Sequence, residues 1–314
     1  MNRFLKKTLA VLIAFVALVA ALEILYRLLK VPKITHQNIH AKAQTLMPRI
    51  NNNTILIIGD SRLEWGMKPQ TVLEKSKAAG FSGNVVDMAM PGSNGLDVMQ
   101  YLIANNIQPK LIIHGYAPNY SSYNNHGFDK EDYTAYNKIS ENFSYWLDQH
   151  LYFRDPSVLN WLKRAPLYFK KHTYDSLGGA LVEEYGDYNF RASSQYDMFK
   201  SFKNNFTRAS WLQYCHTADS AIGVLKKRGS IVYGLAMPVS KKIHGLLNDV
   251  NSDTAGITSY NKFYDFSFFT YTNEAPAHDS TYFLDGCHLL PVYAIVFTGK
   301  VADSLMKDFM KQNK

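Results

Sequence analysis

The chain has only two cysteines in 314 residues, Cys215 and Cys287, and no Cys/His cluster at zinc-site spacing. Neither a multi-bridge disulfide framework nor a zinc-built domain is expected; the two cysteines pair only if the fold brings them together, and the expectation is that both are free and largely buried. Internal repeats and low-complexity runs are lacking too, which excludes repeat architectures and an extended disordered region. Also missing is a basic stripe. The net charge is +8, but residues 1–33 hold Arg3, Lys6, Lys7, Arg27, Lys30 and Lys33 against Glu23, a balance of +5 that leaves only +3 for the rest. Nucleic-acid binding needs cationic groups clustered along one face, so no nucleic-acid partner is expected. What is present is apolar matter: 46% of the residues, enough for one substantial core.

Part of that apolar matter lies at the N-terminus. Residues 8–22 are unbroken apolar sequence after Arg3, Lys6 and Lys7; the run resumes past Glu23 as Ile24-Leu25-Tyr26 and ends in a basic flank. A spanning helix needs about 20 mostly apolar residues, a length reached here only by including Glu23. Basic residues ahead of the run favour a cytoplasmic N-terminus. Residues 1–33 read as an uncleaved signal anchor, with cleavage near Val19-Ala20-Ala21 and secretion as the alternative. Either way the chain from residue 34 onward is expected outside the cytoplasmic membrane, in a periplasm or at the cell surface.

Beyond Asn51-Asn52-Asn53 strands and helices alternate. The continuous apolar run 54–58 predicts a strand covered on both faces. Further strands are predicted over 84–90, 111–115, 230–237 and 266–272, and helices over 71–79, 96–105, 209–227 and 292–310. The alternation predicts an α/β fold over residues 34–314, a flavodoxin-like three-layer sandwich with a central parallel sheet of about five strands. Ligands bind beyond the carboxyl ends of the strands in such sheets. Residues 120–206, dense in Tyr, Phe and Trp and punctuated by Pro156, Pro166 and Gly178-Gly179, interrupt the pattern. They read as one largely helical insertion, a cap or side lobe whose aromatic residues form its own core.

The first strand runs into Gly59-Asp60-Ser61. A serine straight after a buried strand, behind a glycine that permits a tight turn, is placed to project into the cleft; its competing role is to cap the next helix. Near the other end, Asp285-Gly286-Cys287-His288 sets a carboxylate three residues before a histidine. That spacing lets the carboxylate bond Nδ1–H and leaves Nε2 free to take a hydroxyl proton. Gly-Asp-Ser near the start, with Asp-x-x-His-Leu before the last helix, resembles the SGNH (GDSL-type) esterase and acyltransferase superfamily.

The resemblance implies a catalytic triad of Ser61, Asp285 and His288. It also implies an oxyanion hole made by the backbone N–H groups of Ser61 and Gly92 and the side-chain amide of Asn119. Gly92 falls in Asp87-Met88-Ala89-Met90-Pro91-Gly92, and Asn119 in Gly115-Tyr116-Ala117-Pro118-Asn119-Tyr120. Asp87, Ala89, Ala117 and Tyr120 depart from the residues usual there, and Arg62 replaces the eponymous leucine. Arg62 is a candidate to hold an anionic substrate group, with a salt bridge to Asp60 or Glu64 as the alternative. His114, inside an apolar strand, reads as a satisfied core histidine, and Cys287 as a small buried filler.

Location and resemblance together imply an extracytoplasmic serine esterase or O-acyltransferase acting through an acyl-Ser61 intermediate on acyl, chiefly acetyl, esters of a cell-envelope glycan. No cofactor or metal is implied. The expected partners are an acylated glycan or other ester substrate and, through the N-terminal helix, a membrane. The departures at Asp87, Ala117 and Tyr120 motivate a competing class: an inactive membrane-tethered protein of the same fold that binds or helps assemble envelope polysaccharide.

Overall fold

The structure, a computed structural model, describes residues 3–28, 42, 45–90, 93–116, 173–174, 176–181, 196–197, 199–201, 208–251, 257–266 and 280–312. In chain order the elements are α1 (Arg3–Leu28), β1 (Thr54–Ile58), α2 (Ser61–Gly66), α3 (Pro69–Ala78), β2 (Asn84–Asp87), α4 (Leu96–Ala104) and β3 (Leu111–Tyr116). There follow β4 (Thr173–Tyr174), β5 (Ala180–Leu181), α5 (Arg208–Lys227), β6 (Ile231–Ala236), α6 (Lys241–Asn251), β7 (Lys262–Asp265) and α7 (Pro291–Gln312).

Contacts divide the chain into two compact units. One comprises Met1–Asn38, Thr134–His172 and Val182–Gly186, and its described element is α1. That helix is 26 residues long, and Val11, Ile13, Phe15 and Leu18 on it are exposed. Its unbroken apolar stretch, residues 9–22, covers about 21 Å at 1.5 Å per residue. Among the described residues no helix is long and apolar enough to cross a membrane.

The other unit comprises Ile39–Tyr133, Thr173–Leu181 and Asp187–Lys314 and holds the sheet. Five parallel strands run in the order β2-β1-β3-β6-β7. Every residue of β1 is buried because alternate side chains enter opposite layers. Ile55 and Ile57 pack with Val72 of α3 and Phe297, Val301 and Leu305 of α7. Leu56 and Ile58 pack with Met99 of α4 and Trp211 and Ile222 of α5. These two apolar clusters make the helix–sheet–helix layering the α/β alternation predicts.

Chain order along the sheet reverses between β1 and β3, the position where such sheets open a crevice at their carboxyl ends. Gly59 closes β1 at that point. Its φ is +153°, and a Cβ there would lie 3.1 Å from the Gly115 Cα of β3. Only glycine accepts both that backbone conformation and that approach.

Several elements differ from the sequence expectation. Strand β2 ends at Asp87 and does not reach residue 90. The fifth strand is Lys262–Asp265, pairing Tyr264 with Leu235; of the expected 266–272, Phe266 lies past the strand end and 267–272 lie outside the described residues. The aromatic run drew the expectation, whereas the edge position tolerates the polar Lys262 and Asp265, both exposed. Helix α6 went unpredicted, although Ile243, Leu246, Leu247 and Val250 recur at helical spacing. Helix α2 begins at Ser61 itself. Most of the insertion 120–206 lies outside the described residues, and its chain divides between the two units. Its described residues form a two-stranded antiparallel ladder, β4 with β5, and helical residues at 196–197 and 199–201; Leu177 between the strands accepts a 2.7 Å hydrogen bond from the Asp87 amide at the end of β2.

Candidate active site

At the carboxyl end of β1, Asp60 caps α2, so Ser61 does not. Asp60 is extended (φ −88°, ψ −174°), and its Oδ1 accepts the Arg62 amide at 2.9 Å. Its carbonyl accepts the amides of Leu63 and Glu64, each at 3.1 Å. A helix start leaves its first N–H groups without intrahelical partners. Here the cap takes those of residues 62, 63 and 64, while the Ser61 N–H has no partner among the described residues. Both the hydroxyl and the amide of Ser61 are thus left to face the crevice.

The loop before α7 supplies the other groups. Phe283 and Leu289 form a bridge, and the Leu284 amide donates to His288 O at 2.7 Å, closing a tight loop over 285–288. Gly286 takes φ +94° in that loop, and its carbonyl accepts the Ser240 amide at 2.7 Å. Asp285 Oδ1 accepts the amides of Cys287 at 3.2 Å and His288 at 3.0 Å. Asp285 Oδ2 lies 2.7 Å from His288 Nδ1, and His288 Nε2 lies 2.8 Å from Ser61 Oγ. An ionised carboxylate only accepts, so Nδ1 carries a proton, and in the neutral ring Nε2 accepts from the Ser61 hydroxyl. The indole of Trp65, one helical turn after Ser61, lies against the imidazole with ring centroids 4.9 Å apart.

The electrostatics follow from this geometry. Burial raises Asp285, but His288 and the two amides outweigh it and hold the carboxyl below its ordinary range. Burial lowers His288, yet Cys287 and Asp285 outweigh it and hold the imidazole well above 6.5. Burial pushes the Cys287 thiol up to about 11, so the thiol is neutral at neutral pH and Asp285 is the charge that then sustains His288.

Asp285, Cys287 and His288 also bring three potential metal-ligand atoms within 4.8 Å of one another. Zinc bonds of about 2.0–2.1 Å in tetrahedral geometry would hold a carboxylate oxygen and an imidazole nitrogen roughly 3.3 Å apart. The observed 2.7 Å between Oδ2 and Nδ1 is a hydrogen-bond distance and leaves no room for an ion between them. The trio fits proton transfer better than a metal.

The other sequence candidates fare differently. Gly92 and Asn119 lie outside the described residues. Arg62 is buried, with Nε 2.8 Å and Nη2 2.7 Å from Asp60 Oδ2, which is the salt-bridge alternative rather than an open anion site. Cys215 and Cys287 are buried thiols that form no disulfide. His114 is fully buried, with Nδ1 2.6 Å from the Tyr260 hydroxyl and Nε2 2.7 Å from Asn94 O. A carbonyl only accepts, so Nε2 holds the proton and Tyr260 donates to Nδ1; burial lowers the ring to about 4. His114 therefore ties β3 to the turn before α4 as a neutral core histidine. The sequence reading missed Trp65, whose signal was its i+4 spacing from Ser61, and Asp60 as the cap, whose signal was an Asp at a helix start.

No family model and no curated protein matches the chain. Among solved structures it is similar to an acetyl xylan esterase (Est2A) from the rumen bacterium Butyrivibrio proteoclasticus, at 11% sequence identity and a TM-score of 0.32. The match covers 83% of this chain and 65% of that one.

What the arrangement can do chemically is limited and definite. Once the pH exceeds the raised His288 pKa, its imidazole, oriented by a carboxylate, accepts a hydrogen bond from a partly exposed serine hydroxyl, beside an amide with no partner among the described residues. Such a group can become a nucleophile as its proton leaves.

Proposed function

We propose that the protein is an extracytoplasmic serine esterase or O-acyltransferase of the SGNH type, acting on acetyl or related acyl esters of a cell-envelope glycan. The observation that carries this reading is the unbroken hydrogen-bond chain from Asp285 through His288 to Ser61, with links of 2.7 and 2.8 Å. Ser61 Oγ attacks the ester carbonyl carbon while its proton passes to His288 Nε2. The oxyanion that forms is met by the Ser61 N–H, with Gly92 and Asn119 as the further donors the superfamily resemblance supplies. Collapse of the tetrahedral intermediate expels the alcohol, which takes the proton from His288, and leaves acyl-Ser61. Water or a sugar hydroxyl then attacks the acyl group, again giving its proton to His288, and Ser61 is regenerated. The acceptor alone separates hydrolase from transferase.

Location belongs to the same reading. Helix α1 exposes apolar side chains between basic flanks, and its 26 residues measure about 39 Å end to end. That length counts its charged ends: the apolar stretch 9–22 covers about 21 Å, short of the roughly 30 Å of a hydrocarbon core. The apolar run and its basic flanks, not a completed span, support the tether. The helix tethers the chain to the cytoplasmic membrane, and the sheet-bearing unit works outside it.

The test is turnover of a chromogenic acetyl ester by the purified chain. Wild type should release the chromophore, and Ser61→Ala should abolish release. Equal inertness of the two, with retained glycan binding, would overturn the enzyme reading in favour of a non-catalytic polysaccharide-binding protein.

A further inference from the structure

Helix α2 has six residues, too few to hold its own conformation, so packing must fix the direction in which it presents Ser61. Trp65 meets His288 and Arg62 meets Asp60, as described above. Glu64 remains, and its residue is only 1% exposed. Its carboxylate faces Lys42, a residue in the segment that leads from α1 into the sheet: Lys42 Nζ lies 3.4 Å from Glu64 Oε1.

Lys42 is itself 4% exposed, and lysine is rarely so buried unless it is paired. The same ammonium donates to the Ala89 carbonyl at 2.5 Å and lies 4.0 Å from Asp87 Oδ1. Asp87 Oδ1 in turn accepts the Ala89 amide at 2.8 Å. The stretch after β2 runs beside the nucleophile turn, with the Met88 amide on Ile57 O at 2.8 Å and the Met90 amide on Gly59 O at 2.9 Å. One buried cation therefore joins the helix that starts at Ser61 to the stretch that leads toward Gly92.

We propose that Lys42 is a positioning residue for the Ser61 site: through Glu64 and the Ala89 carbonyl it sets the spacing between the nucleophile helix and the stretch after β2. The consequence for rate rests on the esterase reading given above; the mechanical role does not. A buried ion pair adds little stability over a well-packed apolar pair, so its value here lies in orientation. Misplacing reacting groups by about 1 Å can lower a rate on the order of 100-fold.

The test uses the full chain in detergent, comparing wild type, Lys42→Met and the double variant Lys42→Met/Glu64→Gln, which leaves no orphaned carboxylate at Glu64. Two readouts are taken: kcat and KM on a chromogenic acetyl ester, and hydrogen exchange of the amides of residues 62–66 and 88–90. Lys42→Met should lower kcat tenfold or more with KM within twofold. It should also speed exchange in those two segments while β1, β3 and β6 stay protected. The double variant should recover part of the exchange protection but not the full kcat, because the link to Ala89 stays broken. If the single variant does not fold, the double variant is read in its place. Unchanged exchange with kcat within twofold of wild type would overturn the proposal, as would a uniform loss of protection that parallels the loss of activity. Should wild type and Ser61→Ala prove equally inert, the esterase reading falls, and exchange at the two segments still decides the role of Lys42.

Discussion

His288 accepts the Ser61 proton only while Nε2 is unprotonated, and Asp285 holds the imidazole above its ordinary 6.5. The acid limb of a kcat/KM profile should therefore lie above pH 6.5, with activity rising as pH rises. Asp285→Asn removes the charge that sustains His288, so the limb should move to lower pH. It also allows the wrong tautomer, and kcat should fall on the order of 10³–10⁴-fold. A limb that stays in place in that variant would contradict the assigned pairing. Two other buried groups act on stability instead. His114 goes from 6.5 unfolded to about 4 folded, so the unfolded chain takes a proton first and stability falls as pH drops through that window. The full effect of such a shift is on the order of 3 kcal/mol. Burial raises Asp97 from 3.8 to about 6, so the folded chain takes a proton first and stability rises as pH drops through its window. The two oppose each other between pH 6 and 4. Asp97 keeps part of its side chain in solvent although its Oδ2 is buried, so His114 should dominate. In denaturant titrations Asp97→Asn should steepen the loss of stability toward acid and His114→Gln should reverse it; parallel slopes would refute both assignments.

Among the elements, the junction of β1 and α2 is the least tolerant of change. Gly59 needs φ +153° and stands where a Cβ would meet the β3 backbone at 3.1 Å. Gly59→Ala should destabilise the protein by about 1–3 kcal/mol through backbone strain, read as a lower urea midpoint. An unchanged midpoint would show that the junction relaxes. Strands β1, β3 and β6 were legible because a central strand buried on both faces is chiefly apolar, and sequence records that directly; β2, at the other edge, was legible only through Val85-Val86 between the polar Asn84 and Asp87. Strand β7 was misplaced because an edge strand carries polar residues such as Lys262 and Asp265, while the neighbouring aromatic run imitated a buried one. Helix α6 had its apolar spacing in plain view; the turn residues near Pro238 and the polar Lys241-Lys242 start masked it. The 3.6-residue pattern of α7 was long enough to read without ambiguity.

For the whole molecule, the proposed tether is the feature most open to direct measurement. Full-length protein should stay with membranes through alkaline extraction, and deletion of residues 1–33 should release it to the soluble fraction. A mature N-terminus found beyond Ala21 by mass spectrometry would instead establish cleavage and secretion. The amino-acid order alone determined the α/β alternation, the position of Ser61 after a buried strand and the local Asp285–His288 pairing, because each depends on neighbours within a few residues. Tertiary structure alone decided that His288 reaches Ser61 across 227 residues of chain, at 2.8 Å. It also decided that Asp60 caps in place of Ser61, that Arg62 turns to Asp60, and that Lys42 lies buried against Glu64 and Ala89. Those outcomes turn on packing between elements distant in sequence, and on which carboxylate each cation meets when water is excluded. Local composition carries no record of either.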